Sequence, residues 1–364
     1  MYLCGKQLGM TVTTSFASQV FTSTIPPLTL MTDETRVHVV IRIDTDEVYN
    51  EYLYPDSDGN IEILDMPGLV TLHVRHRLVA GMEVELQEQH VTTGEDGEED
   101  VDDMDFLRMS TKLIYCAALV DVEAGAFCHN NFLTLLQGKK ITSLGRLEYL
   151  HYIGSEEATV TALYDDNTSA TFTAAKVGGN DNYSTVDVSP SNFAAEGKTL
   201  CAFTVYAGQR EQQFELDLAN PDVAPVLLFT NSFGCQEIAY CLGTHTVSPE
   251  FKFSAAYIGV NKRNYEIEET RTFKADTGVL TYPMAFWLND LFRSDEVQLL
   301  NFKDGEPEPG KMVVITDVKA EYDNNLDTLP RFTFSYEYAQ KNHNVLDTAR
   351  AGRIFDNTFD HTFN

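Results

Sequence analysis

For most of its length the chain alternates apolar and polar residues, the period-two signal of strands with one face buried. Val37, Val39, Ile41 and Ile43 fall on one face of such a strand, His38 and Arg42 on the other. Asp56-Ser57-Asp58-Gly59-Asn60 is turn chemistry between Glu51-Tyr52-Leu53-Tyr54 and Ile61-Glu62-Ile63-Leu64, which reads as a hairpin. Further alternating runs at Val70–Val74, Met82–Leu86 and Leu113–Leu119 supply enough strands for a sheet-on-sheet domain.

A second β region starts with Ala158–Tyr164, turns at Asp165-Asp166-Asn167 and returns through Ala170-Thr171-Phe172. Strands follow around Cys201, Phe203 and Val205, around Phe214, Leu216 and Leu218, and around Phe251, Phe253 and Ala255. Asp276-Thr277-Gly278 predicts another hairpin turn. The clearest strand is Arg331–Tyr338, with Phe332, Phe334, Tyr336 and Tyr338 on one face. Helical spacing is rare. Met284, Trp287, Leu288, Leu291 and Phe292 form a broad apolar face that suits a helix covering a sheet, with the single Trp in the core. Residues Gly125–Leu136 predict a short connecting helix at a hinge, leading to a strand within Arg146–Ile153.

These elements predict a mainly β protein of two β-sandwich-like domains, with one covering helix and extended terminal arms. The divisions are an N-terminal arm over 1–32, a first domain over 33–155, a second over 156–340 and a C-terminal arm over 341–364. A length of 364 residues agrees with two domains. The composition, 43% hydrophobic with a net charge of −29, is that of a folded acidic protein. Such a surface repels phosphate and excludes ordinary nucleic-acid binding, since no basic cluster offsets it. Eight of the eleven residues Glu95–Asp105 are Asp or Glu, which predicts a solvated acidic loop over 94–106.

Gln7–Thr32 carries no charge but is threaded with Thr, Ser and Pro, so it reads neither as a membrane span nor as a secretory leader. A cytoplasmically made chain without a leader keeps its six cysteines as free, mostly buried thiols.

No motif predicts catalysis, a cofactor or a metal. Gly305–Met312 has two glycines before Lys311, but Met312 stands where a phosphate loop needs Ser or Thr, and Glu306 and Glu308 would face the phosphates. Asp56, Asp58 and Asn60 have the alternate spacing of a calcium loop, yet Gly59 is misplaced and Pro67 stands where the bidentate Glu belongs. Cys235, Cys241 and His245 lack paired zinc spacing, as does Cys128-His129, and His73 and His76 would point to opposite faces of a strand. No spacing singles out an acid–base pair among the 55 carboxylates.

Phe355, Phe359 and Phe363 recur every four residues in a tail without a core of its own. Apolar side chains there are exposed unless a partner covers them, which makes these three the expected partner contacts, and the uncharged stretch Thr11–Leu30 invites the same expectation.

The second half carries a resemblance. Leu227-Leu228-Phe229-Thr230-Asn231-Ser232-Phe233-Gly234, Glu237, Leu242-Gly243-Thr244 and a strand over Tyr265–Thr272 are followed by Trp287-Leu288-Asn289-Asp290-Leu291 and Ser294–Leu299. Val313-Val314-Ile315-Thr316-Asp317 and Tyr336-Glu337-Tyr338-Ala339 then complete the series. This pattern, over about residues 225–340, resembles virion structural proteins of phages and prophages of Bacteroides-type bacteria, including crAss-like phages. Their Glu51–Leu64 type of hairpin is similar as well. Cys235 departs from the pattern, which has a small residue or Gly there. The resemblance implies a non-enzymatic tail, neck or baseplate subunit, assembled in the host cytoplasm as a homo-oligomeric ring with other virion proteins. An acidic lining would let DNA pass without sticking. The competing expectation is a carbohydrate-binding adhesin of sandwich type.

Overall fold

The computed structural model describes residues 9–94, 98–303, 306–322 and 328–340. The protein is mainly β, as the alternation predicts, with 23 strands and three α-helices among the described residues. It divides into two compact units, residues 1–130 and 131–364. The division therefore falls earlier than the expected position after residue 155. The cause is long-range pairing: Lys140–Thr142 lies parallel to Arg210–Leu216, and Tyr149–Ile153 pairs with Tyr183–Asp187, so residues 131–155 belong to the second unit.

In the first unit a five-stranded sheet runs in the order Gln19–Phe21, Glu99–Ile114, Val79–Thr93, Arg36–Ile43, Asp46–Leu53. A three-stranded sheet combines Thr11–Val12, Leu28–Met31 and Asn60–Ile63. Val37, Val39, Ile41 and Ile43 are fully buried, as their alternation predicts, and join Leu28, Leu30 and Ile61 in one core. The N-terminal stretch is thus no free arm in its described part. Val20, Phe21, Ile25, Leu28 and Leu30 bury in their own unit, which covers the apolar surface that a partner would otherwise cover.

The turn at Asp56–Asn60 forms, with Gly59 at φ 87° and its N–H bonded to Asp56 O. It joins no hairpin, however: Asp46–Leu53 pairs with Arg36–Ile43, while Asn60–Ile63 pairs with Leu28–Met31 in the other sheet. Val70–Val74 is a helix, Met66–Val74, instead of a strand. Asp65 caps it by accepting from Gly68 N at 2.9 Å, Pro67 starts it, and Met66, Val70 and Val74 at intervals of four face the core. Leu72, which completed the apparent alternation, is 75% exposed. The core of this unit therefore has a covering helix of its own, beyond the single one expected.

The second unit holds two main cores. One lies between the five-stranded sheet containing Ala158–Tyr164, Leu200–Ala207 and Arg210–Leu216 and the three-stranded sheet of Tyr149–Ile153, Tyr183–Asp187 and Ala175–Gly179. The other lies on a seven-stranded sheet ordered Gln236–Tyr240, Val226–Thr230, Val297–Lys303, Glu306–Lys319, Arg331–Tyr338, Asn261–Val279, Thr246–Ile258. Helix Tyr282–Arg293 covers it, capped by Thr281, with Trp287, Leu288 and Leu291 buried against Phe332, Phe334 and Tyr336. The expected turn at Asp276–Gly278 is a bulge inside the strand Asn261–Val279. Gly278 takes φ 75°, its N–H bonds to Asp276 Oδ1 at 2.8 Å, and Arg331 holds the same carboxylate at 2.7 Å. In its described part, from Glu306 on, the Gly305–Met312 segment is strand, with Glu306–Lys319 folding back on Val297–Lys303.

Candidate functional site

Two of the hairpins are far longer than their cores require. Thr246–Ile258 and Asn261–Val279 have 13 and 19 residues against about 5–6 in an ordinary strand. They pair down to Ile258 and Asn261, where Gly259 at φ 63° makes the tip. Between residues 248 and 268 only Ser254 is even partly buried, so both faces of the ribbon meet solvent. The ribbon carries large apolar groups: Phe253 is 60% exposed, Tyr257 72%, Val260 94% and Tyr265 71%. Phe251 and Phe253 stack on each other at 6.3 Å and on no other described ring. Lys262 and Arg263 put two positive charges at the tip of a strongly acidic chain.

The second projection is the acidic stretch itself. It is not a loop in its described part: Glu99–Ile114 pairs with Val79–Thr93 as far as Thr93 and Glu99. A run of carboxylates is tolerated in this strand because the residues opposite carry no negative charge. Asp103 faces Gln89, Asp102 faces His90 and Asp100 faces Thr92. Gln89 Nε2 donates to Asp103 Oδ1 at 2.8 Å, and Arg36 lies 3.6 Å from Glu99. Residues 98–108 are exposed throughout, including Met104 and Phe106.

A buried polar cluster in the second unit is the other arrangement that the chain order conceals. Lys140 Nζ lies 2.6 Å from Glu148 Oε2, and Thr142 Oγ1 donates to Glu148 Oε1 at 2.8 Å. The same ammonium sits 4.4 Å above the Trp287 ring, whose Nε1 donates to the Glu237 carboxylate. Ser232 donates through N and Oγ to Asp290 on the covering helix. Asn231 ties the turn together: its Oδ1 accepts from Phe233 N at 2.9 Å and Cys235 N at 3.0 Å, and its Nδ2 donates to Leu133 O at 2.8 Å. The residues Asn231, Ser232, Glu237, Trp287 and Asp290 that stood out in sequence thus lock helix to sheet. The space beside Lys140, Glu148, Glu237 and Trp287 is about 10 Å³, room for about one water and for no organic substrate.

Burial raises the carboxyl pKa of Glu237 above its ordinary value of 4.5, against the opposing pull of Lys140 and Trp287. Well below that value the group is protonated folded and unfolded. As pH rises, the unfolded chain releases its proton first, so stability falls until the raised folded value is passed. Glu237→Gln is therefore expected to lose its disadvantage, or gain stability over wild type, as pH increases from about 4 to about 8. Urea melts followed by the fluorescence of the sole Trp check this; a difference that does not change with pH overturns it.

The remaining residues singled out in sequence do not converge. Asp56 spends its carboxylate on its own turn, accepting from Asp58 N at 2.9 Å and Asn60 N at 2.8 Å, which lowers its pKa. Cys116, Cys128, Cys201, Cys235 and Cys241 are not joined in disulfides. Among the described residues no group of three or more His, Cys, Asp or Glu is placed to hold a metal, and no helix is long and apolar enough to cross a membrane. Phe355, Phe359 and Phe363 lie outside the described residues. The exposed aromatic ribbon escaped sequence reading because Phe251 and Phe253 alternate as core residues do. The chain gives a second misleading cue in Ser248-Pro249, turn chemistry that falls inside the strand Thr246–Ile258.

No family model matches the chain, and no curated protein matches it. Among solved structures, the chain is similar to one described under "Structural insight into host cell surface retention of a 1.5-MDa bacterial ice-binding adhesin". Identity is 10%, the match covers 83% of this chain and 95% of that one, and the TM-score is 0.17. The Bacillus anthracis TIE protein matches at 8% identity over 74% of this chain and 52% of that one, about half its length, with a TM-score of 0.15. Superpositions this poor carry no argument about function.

Proposed function

We propose that this chain is a non-enzymatic structural subunit that works by assembling with further copies of itself. The observation that carries the reading is the two-stranded ribbon of residues 248–268, which holds Phe251, Phe253, Tyr257 and Ile267 on one face, uncovered in the single chain. Its occupant is a second copy, because charge complementarity is available within the chain. The ribbon tip presents Lys262 and Arg263 beside Tyr257, Val260 and Tyr265, and the acidic hairpin presents Glu98 to Asp105 beside Met104 and Phe106. A contact between these two different surfaces is heterologous, and repetition of it builds a ring or an open filament. The finer placement, in the tail or neck of a phage virion, is supported by the pattern over residues 225–340 and by these projecting hairpins.

The test is the solution mass of the full-length protein by light scattering over a range of concentrations and salt. The expected result is a closed multimer whose dissociation constant rises as NaCl goes from about 0.1 to about 1 M, where the Debye length falls from roughly 10 to 3 Å, while the apolar part of the contact persists. A monomer under every condition overturns self-assembly.

A further inference from the structure

The second unit contains a larger cavity, about 130 Å³, that none of the preceding roles uses. Its walls are mostly apolar: Ile141, Ile238, Leu242, Leu280, Met284 and Leu288 line it, while the half-exposed Val279 gives it an opening to solvent. Two cations, Lys140 and Arg146, also line it. Lys140 is already engaged by Glu148 and Trp287. Arg146 is not so served. The residue is 6% exposed, and its Nη2 is buried without a hydrogen-bond partner.

The guanidinium rests on the Tyr240 ring, 5.1 Å from its centroid. That ring is fixed at its far end, where Tyr240 Oη accepts from Leu147 N at 2.8 Å and donates to Leu147 O at 3.1 Å. Glu148 and Asp217 act on Arg146 through space, and burial lowers its pKa. A buried guanidinium with an unmet donor costs stability unless an acceptor reaches it. The fork of an arginine is matched by a carboxylate, which needs only two oxygens satisfied. Inorganic phosphate would leave its other oxygens against aliphatic walls and beside Asp217.

We propose that this cavity binds a small organic monocarboxylate, its carboxylate on Arg146 and a compact apolar body against the walls. An apolar cavity of about 150 Å³ holds benzene, so at about 130 Å³ the body has roughly five or six non-hydrogen atoms. Isothermal titration of the full-length protein with benzoate and hexanoate, alongside neutral benzyl alcohol and inorganic phosphate, tests this. Benzoate or hexanoate is expected to bind at least about tenfold more tightly than benzyl alcohol, the factor of one charge-assisted hydrogen bond. Arg146→Gln should remove that preference while leaving benzyl alcohol unchanged, and Val279→Trp, at the opening, should weaken all three. Should Arg146→Gln fail to fold, the wild-type preference for the anion decides alone. Benzyl alcohol binding as tightly as benzoate would reduce the site to an apolar void. Binding of phosphate in place of the carboxylates, or no binding by any probe up to about 10 mM, also overturns the proposal.

Discussion

Serine at Phe251, Phe253, Tyr257 and Tyr265 together is expected to abolish assembly while leaving the fold intact. All four side chains are exposed in the single chain, so their removal takes nothing from its core, and such surface changes alter stability by less than about 0.5 kcal/mol each. Covered by a neighbouring copy, each contributes about 1.5–3 kcal/mol of burial. Even after ordering costs, the loss of four amounts to several orders of magnitude in the dissociation constant. Light scattering on both forms at matched concentration, with circular dichroism melts as the control for folding, is the measurement. An assembly of the same mass in the substituted protein overturns the role assigned to the ribbon, and points to other surfaces as the contact.

Trp287→Ala is expected to produce the largest loss of stability by a single substitution, about 3–5 kcal/mol from the emptied volume alone. The ring packs at 5.9 Å from Phe229, lies beneath the Lys140 ammonium and donates to Glu237, so its removal also strips a buried cation and a buried carboxyl of a partner. Trp287→Phe separates these contributions. It restores most of the packing and removes the indole donor from the Glu237 carboxyl, leaving Thr134, for about 1–3 kcal/mol. Urea denaturation followed by circular dichroism measures both, and equal losses in the two variants would mean that packing contributes little.

Both expectations depend on how the chain's local patterns are used in space. Strands 158–164 and 331–338 and the helix from residue 282 were legible because alternation and helical spacing are properties of neighbouring residues. Helix Met66–Val74 was missed, because Val70, Leu72 and Val74 alternate by accident and the cap at Asp65 and Pro67 was not read. Of the candidate site, Trp287 was placed correctly in the core, whereas its partners Lys140, Glu148 and Glu237 are scattered along the chain with no spacing to connect them.

By itself the sequence determined that this is a mainly β, strongly acidic protein, because periodicity and charge are written residue by residue. Only the tertiary structure decided which strands pair. It joined residues 131–155 to the second unit, drew the N-terminal strands into the first core and ran the acidic segment into a hairpin. It also decided what covers each apolar face. Alternation shows that the two sides of a strand differ, and Val37 and Phe253 satisfy it equally. Whether such a side chain is buried depends on a second layer supplied from distant sequence, which Val37 has and Phe253 lacks.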